Sequence, residues 1–247
     1  MVWLTPLHWA AAEGSRDEVR YYLSQGVNPN LTDNLFGETA LHWAAKSGES
    51  GPIRALLEYG ADPNAREGRG ITPLILAVRQ QQGELLAALS LIEGGADVRA
   101  ADALGETALH IAALNHTNPA VSLLIRMLRA AGANPNAKAG EFAATPLHYA
   151  VISGNIDAIW ALTGDDSPFP ADVNMPDNRG LTPLHFACGA VVGSGDLVLV
   201  VRALLHEGAN INARDPDGWT PLDYAVRSEQ EQVEEELRAR GAHRGKP

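Results

Sequence analysis

Two kinds of apolar block alternate along this 247-residue chain. The first is short and dense, as in Thr5-Pro6-Leu7-His8-Trp9-Ala10-Ala11. The second spaces its apolar residues three and four apart, as in Val19, Tyr22 and Leu23, or Ile53, Leu56 and Leu57. That spacing gathers them on one face of a helix and leaves the opposite face polar. A pair of helices this short cannot bury its apolar side unaided, whereas copies stacked side by side shelter one another.

The dense block returns seven times. It reads Thr5-Pro6-Leu7-His8, Thr39-Ala40-Leu41-His42, Thr72-Pro73-Leu74-Ile75 and Thr107-Ala108-Leu109-His110, then Thr145-Pro146-Leu147-His148, Thr182-Pro183-Leu184-His185 and Thr220-Pro221-Leu222-Asp223. Thr followed by Pro predicts a helix start. The hydroxyl accepts from an orphan amide of the first turn, and proline has a helical φ and no N–H to leave unpaired. Five residues after each Thr stands Ala: Ala10, Ala44, Ala77, Ala112, Ala150, Ala187 and Ala225. The next residue is small too: Ala11, Ala45, Val78, Ala113, Val151, Cys188 and Val226. Small residues at two equivalent positions predict helices in close approach. A glycine closes the second block at Gly26, Gly60, Gly95, Gly132 and Gly208, with Asn or Asp two residues on. This is the pattern of a left-handed helix terminator followed by a turn. Each unit therefore reads helix, turn, helix, extended turn.

Phrase, period and terminal glycine together resemble the ankyrin repeat, over residues 2 to 243. The resemblance implies an all-α fold, an ankyrin-repeat solenoid of helix-turn-helix units joined by β-hairpin-like loops. It implies one elongated domain over residues 1–247, with repeats starting near Val2, Phe36, Arg69, Leu104, Phe142, Arg179 and Asp217. First helices would line a concave face, second helices a convex one, and the turns would project as tips. The phrase histidine would hydrogen-bond within and between repeats, and ligand contact would come from the tips and the first-helix surface.

Four copies depart from the short pattern. The third has Ile75 for histidine and extra residues near Gln80-Gln81-Gln82; the fourth has extra residues around Asn115-His116-Thr117-Asn118. The fifth has Gly164-Asp165-Asp166-Ser167-Pro168-Phe169-Pro170 in place of a terminal glycine, and the sixth a longer turn at 189–195. Local function and neutral drift both account for such lengthening, since longer loops cost little.

Composition narrows the function. One cysteine, Cys188, excludes an intrachain disulfide, and its place in the phrase reads as packing rather than as a nucleophile. With no leader-like start, this points to a cytoplasmic address. No apolar run reaches membrane-spanning length, so no membrane partner is expected. A net charge of −11 argues against nucleic acid and permits a basic protein partner. The acidic run from Glu229 to Glu236 reads as the polar face of a final, capping repeat. Five of the eight histidines belong to the phrase and so lie in successive layers, which gathers no metal site. There is no GxSxG elbow, no phosphate loop and no HExxH, and the repeats leave no room for a catalytic domain. Neither an enzymatic activity nor a cofactor is expected, and the chain is expected to be a monomer.

The informative positions are those the repeat leaves free. At the ends of the first helices these include Lys46, Arg79, Asn115 and Arg227; at the tips they include Phe36, Arg69, Leu104, Phe142, Arg179 and Trp219. Exposed tip aromatics favour an interface, although each ring could instead fold back on a neighbour. Phe169, set between two prolines, is either a preorganised contact or a plug for the missing glycine. The residue after the phrase (Trp9, Trp43, Leu76, Ile111, Tyr149, Phe186, Tyr224) forms a ladder for inter-layer packing or for a peptide. The expected function is a non-enzymatic protein-binding module using the concave face and tips. The alternative is a structural or regulatory subunit gripping through its terminal repeats, for which Trp3 and Leu4 are the cue.

Overall fold

The computed structural model describes residues 4–80, 84–115, 120–164, 169–189 and 197–245. Trp3, Gln81 and Gln82, His116 to Pro119, Asp165 to Pro168 and the 190–196 turn lie outside the described residues. The chain falls into two compact units, Met1–Ala108 and Leu109–Pro247.

Among the described residues there are fourteen helices, two per repeat. The first unit holds α1 (Pro6–Ala12), α2 (Arg16–Ser24), α3 (Ala40–Ser47), α4 (Ser50–Glu58), α5 (Pro73–Arg79) and α6 (Glu84–Glu93). After α7 (Ala108–Leu114), which starts at the boundary, the second holds α8 (Val121–Ala130), α9 (Pro146–Ser153), α10 (Ile156–Thr163), α11 (Pro183–Gly189), α12 (Leu197–His206), α13 (Pro221–Arg227) and α14 (Glu231–Ala239). Within each unit first helices pack on first helices (α1, α3, α5; α9, α11, α13) and second on second (α2, α4, α6; α8, α10, α12, α14). The connecting tips are hairpin-like: isolated bridges pair Thr32 with Thr39, Ala101 with Thr107 and Ala139 with Ala144.

The small residues sit where the helices meet. All seven phrase alanines are buried, and so are Ala11, Ala45, Val78, Ala113, Val151 and Cys188. Burial pushes the Cys188 thiol well above its usual pKa, so it packs as a small apolar group. Ala44 has no exposed surface between its neighbours. We expect Ala44→Leu to overpack the α1–α3–α5 layer and to cost about 1–3 kcal/mol, read as a lower urea midpoint at unchanged m-value.

Each phrase histidine ties its own helix start to the next repeat. In the fifth repeat the Thr145 amide donates to His148 Nδ1 at 3.2 Å, and His148 Nε2 lies 3.0 Å from the Leu181 carbonyl. A carbonyl oxygen only accepts, so Nε2 carries the proton and Nδ1 is the acceptor. This is a capping box in which histidine replaces the usual glutamate. Equivalent Nε2 bonds run from His8 to Glu38, His42 to Ile71, His110 to Ala137 and Ala144, and His185 to Trp219. In the third repeat Ile75 fills the place by burial alone.

A second tie runs through the turns. Asn30 donates to the Gly60 carbonyl and accepts from the Asp62 amide; Asn64 does the same for Gly95 and Asp97, and Asn174 for Gly208 and Asn210. The fifth repeat, without a left-handed glycine, ends α10 at Gly164 in extended conformation. The buried Arg129 side chain reaches across from α8 to the Ala161 and Gly164 carbonyls at that end. Phe169 is 75% exposed and plugs nothing.

Candidate functional site

The tips are built on carboxylates. Asp33 Oδ1 accepts from the Leu35, Phe36 and Gly37 amides at 2.9–3.0 Å. Glu67, Asp102, Asp177 and Asp215 accept from the amides of their own turns in the same way. Adjacent tips are also bonded, Gly68 N to Phe36 O, Ala103 N to Arg69 O and Asn178 N to Phe142 O. All of these acceptors but Asp102 are buried, so the turns are held inward and their outer side chains face away from the core.

In the first unit, Phe36 is 48% exposed and Leu104 65%, with exposed Arg69 in the tip between them. Lys46 pairs with Glu38 and lies 4.6 Å from the centre of the Trp43 ring. Arg79 is exposed at the end of α5. In the second unit the carbonyl of Asn115 accepts from Asn155 Nδ2, while Phe169 stands apart on its own turn.

The second unit brings four of the expected residues into one continuous cluster. The Arg179 guanidinium lies 4.0 Å from the centre of the Phe142 ring and 5.1 Å from that of Phe186. Its Nε and Nη2 both donate to Asp177 Oδ2, at 2.9 and 2.8 Å. Beyond Phe186, the Tyr224 hydroxyl donates to Asp215 Oδ2 at 2.7 Å. Burial and that bond push the Tyr224 pKa up to about 12. Trp219 packs edge-on to Tyr224, and Arg227 lies over Trp219 at 5.4 Å. Trp219 therefore folds back on its own repeat, whereas Phe142 supports a cation from the next.

The residues after the phrase pack between layers. Tyr149, Phe186 and Tyr224 each meet the phrase histidine of the repeat before, edge to face, at 5.0, 5.0 and 5.4 Å. Each ring shields a histidine hydrogen bond and keeps one side outward. Trp9, in the first repeat, is exposed.

Sequence reasoning missed a recess in this cluster. Among the described residues it is lined by Arg179, Leu181, His185, Phe186, Gly189 and Tyr224 and encloses about 260 Å³. Its signal is glycine at a position where the other repeats carry Ala12, Lys46, Arg79, Leu114, Ile152 and Arg227. No group of three or more His, Cys, Asp or Glu able to hold a metal occurs among the described residues. No described helix is long and apolar enough to cross a membrane.

A family model described as Ankyrin repeats matches in three copies, over residues 7–102, 74–170 and 165–244. The chain is similar to the human ASB11 ankyrin repeat domain, with a TM-score of 0.76 and 28% identity, covering 97% of this chain and 99% of that one. It is also similar to the ankyrin repeat domain of Bcl-3, a member of the IkappaB family, with a TM-score of 0.78 and 27% identity, covering 95% and 98%. In sequence it is 36% identical to a mitochondrial disaggregase of Bos taurus over 140 residues, 56% of this chain and 19% of that protein. It is 29% identical to transient receptor potential cation channel subfamily A member 1 of Homo sapiens over 212 residues, 84% of this chain and 15% of that protein. The chain thus spans less than a quarter of the length of these two curated relatives.

Proposed function

Because the chain belongs to the ankyrin-repeat family, whose repeats are generic protein–protein interaction modules, we propose that it is a non-enzymatic, cytoplasmic binding module that works as a single domain. It holds a protein partner on the surface formed by its tips and first helices, the concave face of the family. Phe36, Lys46, Arg69, Arg79, Leu104, Phe142, Arg179, Trp219 and Arg227 belong to that surface, with Asn115 and Phe169 at its margins.

The observation that carries this reading is the row of ordered but exposed aromatic and cationic groups around Phe142, Arg179 and Phe186. Rings and guanidiniums already fixed by neighbours lose little entropy on binding and are the groups that dominate interfaces. Second helices instead present scattered charges such as Arg20 with Glu58 and Arg202 with Glu236. Exposed pairs of that kind contribute little.

Affinity capture with the purified chain tests the proposal, set against the triple variant Phe36→Ala, Phe142→Ala, Trp219→Ala. All three side chains are at least partly exposed, so the variant keeps its helical circular dichroism. Partner capture is expected to fall at least about tenfold, the effect of losing central aromatic anchors. Undiminished capture by the folded variant would remove the tips from the interface.

A further inference from the structure

The recess beside Gly189 lies inside the surface just proposed, and the inference drawn from it rests on that reading. Gly189 is the last residue of α11 and has no left-handed φ to require glycine. A Cβ built there would lie 2.8 Å from Tyr224 Cδ1. The glycine therefore lets the Tyr224 ring close against the end of α11 and stand as a wall of the recess, at a position where the other six repeats carry a side chain.

The walls define what fits. Phe186, Tyr224 and Leu181 offer apolar surface, and Gly189 offers bare backbone. A dry cavity of about 150 Å³ is enough for a benzene ring. At about 260 Å³ the recess holds one ring or branched aliphatic side chain. It falls below the roughly 300–1,000 Å³ usual for whole small-molecule ligands. A single side chain of a protein segment matches that size.

The rim defines what accompanies it. Arg179 is held by two rings and by Asp177, yet among the described residues only its Nε and Nη2 are engaged, and Nη1 has no hydrogen-bond partner there. Arg227, close to Tyr224, has no ion pair among the described residues. Of the carboxylates nearby, Asp177 and Asp215 are buried and already bonded to turn amides, to Arg179 and to Tyr224. Asp217 is the exposed one. One oriented guanidinium with a spare donor on the rim of an apolar recess, and a second over the adjacent Trp219 ring, complement a carboxylate next to an apolar side chain.

We propose that this recess takes one aromatic or branched aliphatic side chain of a partner protein, flanked in the partner's sequence by an aspartate or glutamate that binds Arg179 Nη1. The neighbouring Arg227 guanidinium adds attraction for the same carboxylate. The partner segment lies across the ends of α11 and α13, with its anchor seated between Phe186 and Tyr224.

The test starts from a phage-displayed library of random peptides selected on the full chain, followed by calorimetric titration of a synthetic peptide carrying the selected consensus. The expected consensus is an apolar anchor with Asp or Glu within a few positions. Gly189→Ala, checked for unchanged helicity, is expected to weaken the peptide about tenfold by pushing the Tyr224 ring out of its place in the recess wall. Changing the peptide's acidic residue to its amide is expected to weaken binding about five- to tenfold against the native chain and hardly at all against Arg179→Gln. Asp217→Asn is expected to tighten it. A consensus without an acid, full affinity in Gly189→Ala, or an amide penalty as large in Arg179→Gln as in the native chain overturns the proposal. Peptides that survive Gly189→Ala but are lost in the tip variant overturn it while leaving the surface reading intact. A library that yields no binder, together with no captured partner, overturns both.

Discussion

Replacing Asp223 by Ala is expected to loosen the seventh repeat ahead of the rest of its unit, at a cost of about 2–4 kcal/mol. Asp223 stands where five other repeats have histidine. There the histidine donates to a carbonyl of the next repeat, whereas Asp223 can only accept. What lies opposite is a donor: the Gly245 amide at 2.8 Å, with Arg244 Nε at 2.8 Å. The Thr220 amide and hydroxyl add two more bonds at 2.9 Å. The segment after α14 thus takes the place of a next tip, and His243 N even donates to Asn212 as the Asp62 amide does to Asn30. Without the carboxylate, the buried Thr220 amide and the half-buried Gly245 amide lose their acceptor. Native-state hydrogen exchange in α13 and α14 reads the effect directly. Burial alone would raise the Asp223 carboxyl, but the bonds from Arg244, Thr220 and Gly245 outweigh it and hold its pKa well below the carboxylate range. A depressed acid stabilises the fold above its unfolded pKa of about 3.9, and the contribution fades as pH falls below that value. Asp223→Asn is therefore expected to flatten the acid limb of the stability curve below about pH 4.

The second large effect is expected at the phrase histidines. His148→Ala removes the acceptor of the Thr145 amide, the donor to the Leu181 carbonyl and the face against which Phe186 packs. The Leu181 carbonyl keeps the Asp177 amide, so one unpaired buried amide, at Thr145, and a cavity together are expected to cost about 2–4 kcal/mol, measured by urea denaturation. The same geometry sets a pH dependence. Burial lowers the pKa of His8, His42, His148 and His185, with their backbone bonds opposing. Protonation would also place a hydrogen on Nδ1 against the Thr N–H that it must accept. A base whose folded pKa is depressed binds more protons unfolded, so stability is complete above about pH 6.5 and falls as pH drops below it. Melting temperatures between pH 7 and pH 5 should decline, and His148→Ala should decline less than the native chain. An equal decline in both would dismiss the histidine ties as the cause.

Much of this was legible in residue order. Thr-Pro-Leu marks helix starts because capping is local chemistry, and the phrase alanines mark helix contacts because only small side chains fit there. The tip carboxylates Asp33, Glu67, Asp177 and Asp215 are also visible, standing five or six residues before each Thr. Their roles become plain only when the turn curls its amides around them. What the sequence conceals depends on a neighbour in another layer. Gly189 reads as one free surface position among many until Phe186 and Tyr224 are seen to wall the space beside it. Asp223 reads as a lapse in the phrase until Gly245 lies opposite. Arg129 reads as an ordinary second-helix residue until it reaches the end of α10, where the missing glycine would otherwise leave carbonyls unmet. The tip aromatics were half legible: Phe36 and Phe142 are exposed, but Trp219 leans on Tyr224.

The central claim is that a protein partner sits on the tips and first-helix ends, and hydrogen exchange of the chain with a captured, purified partner tests it most directly. The expected result is added protection in the tips and in the last turns of α9, α11 and α13, around Phe142, Arg179, Gly189, Trp219 and Arg227. Protection confined to α2, α4, α10 and α12, around Arg20, Arg54, Trp160 and Arg202, would contradict it.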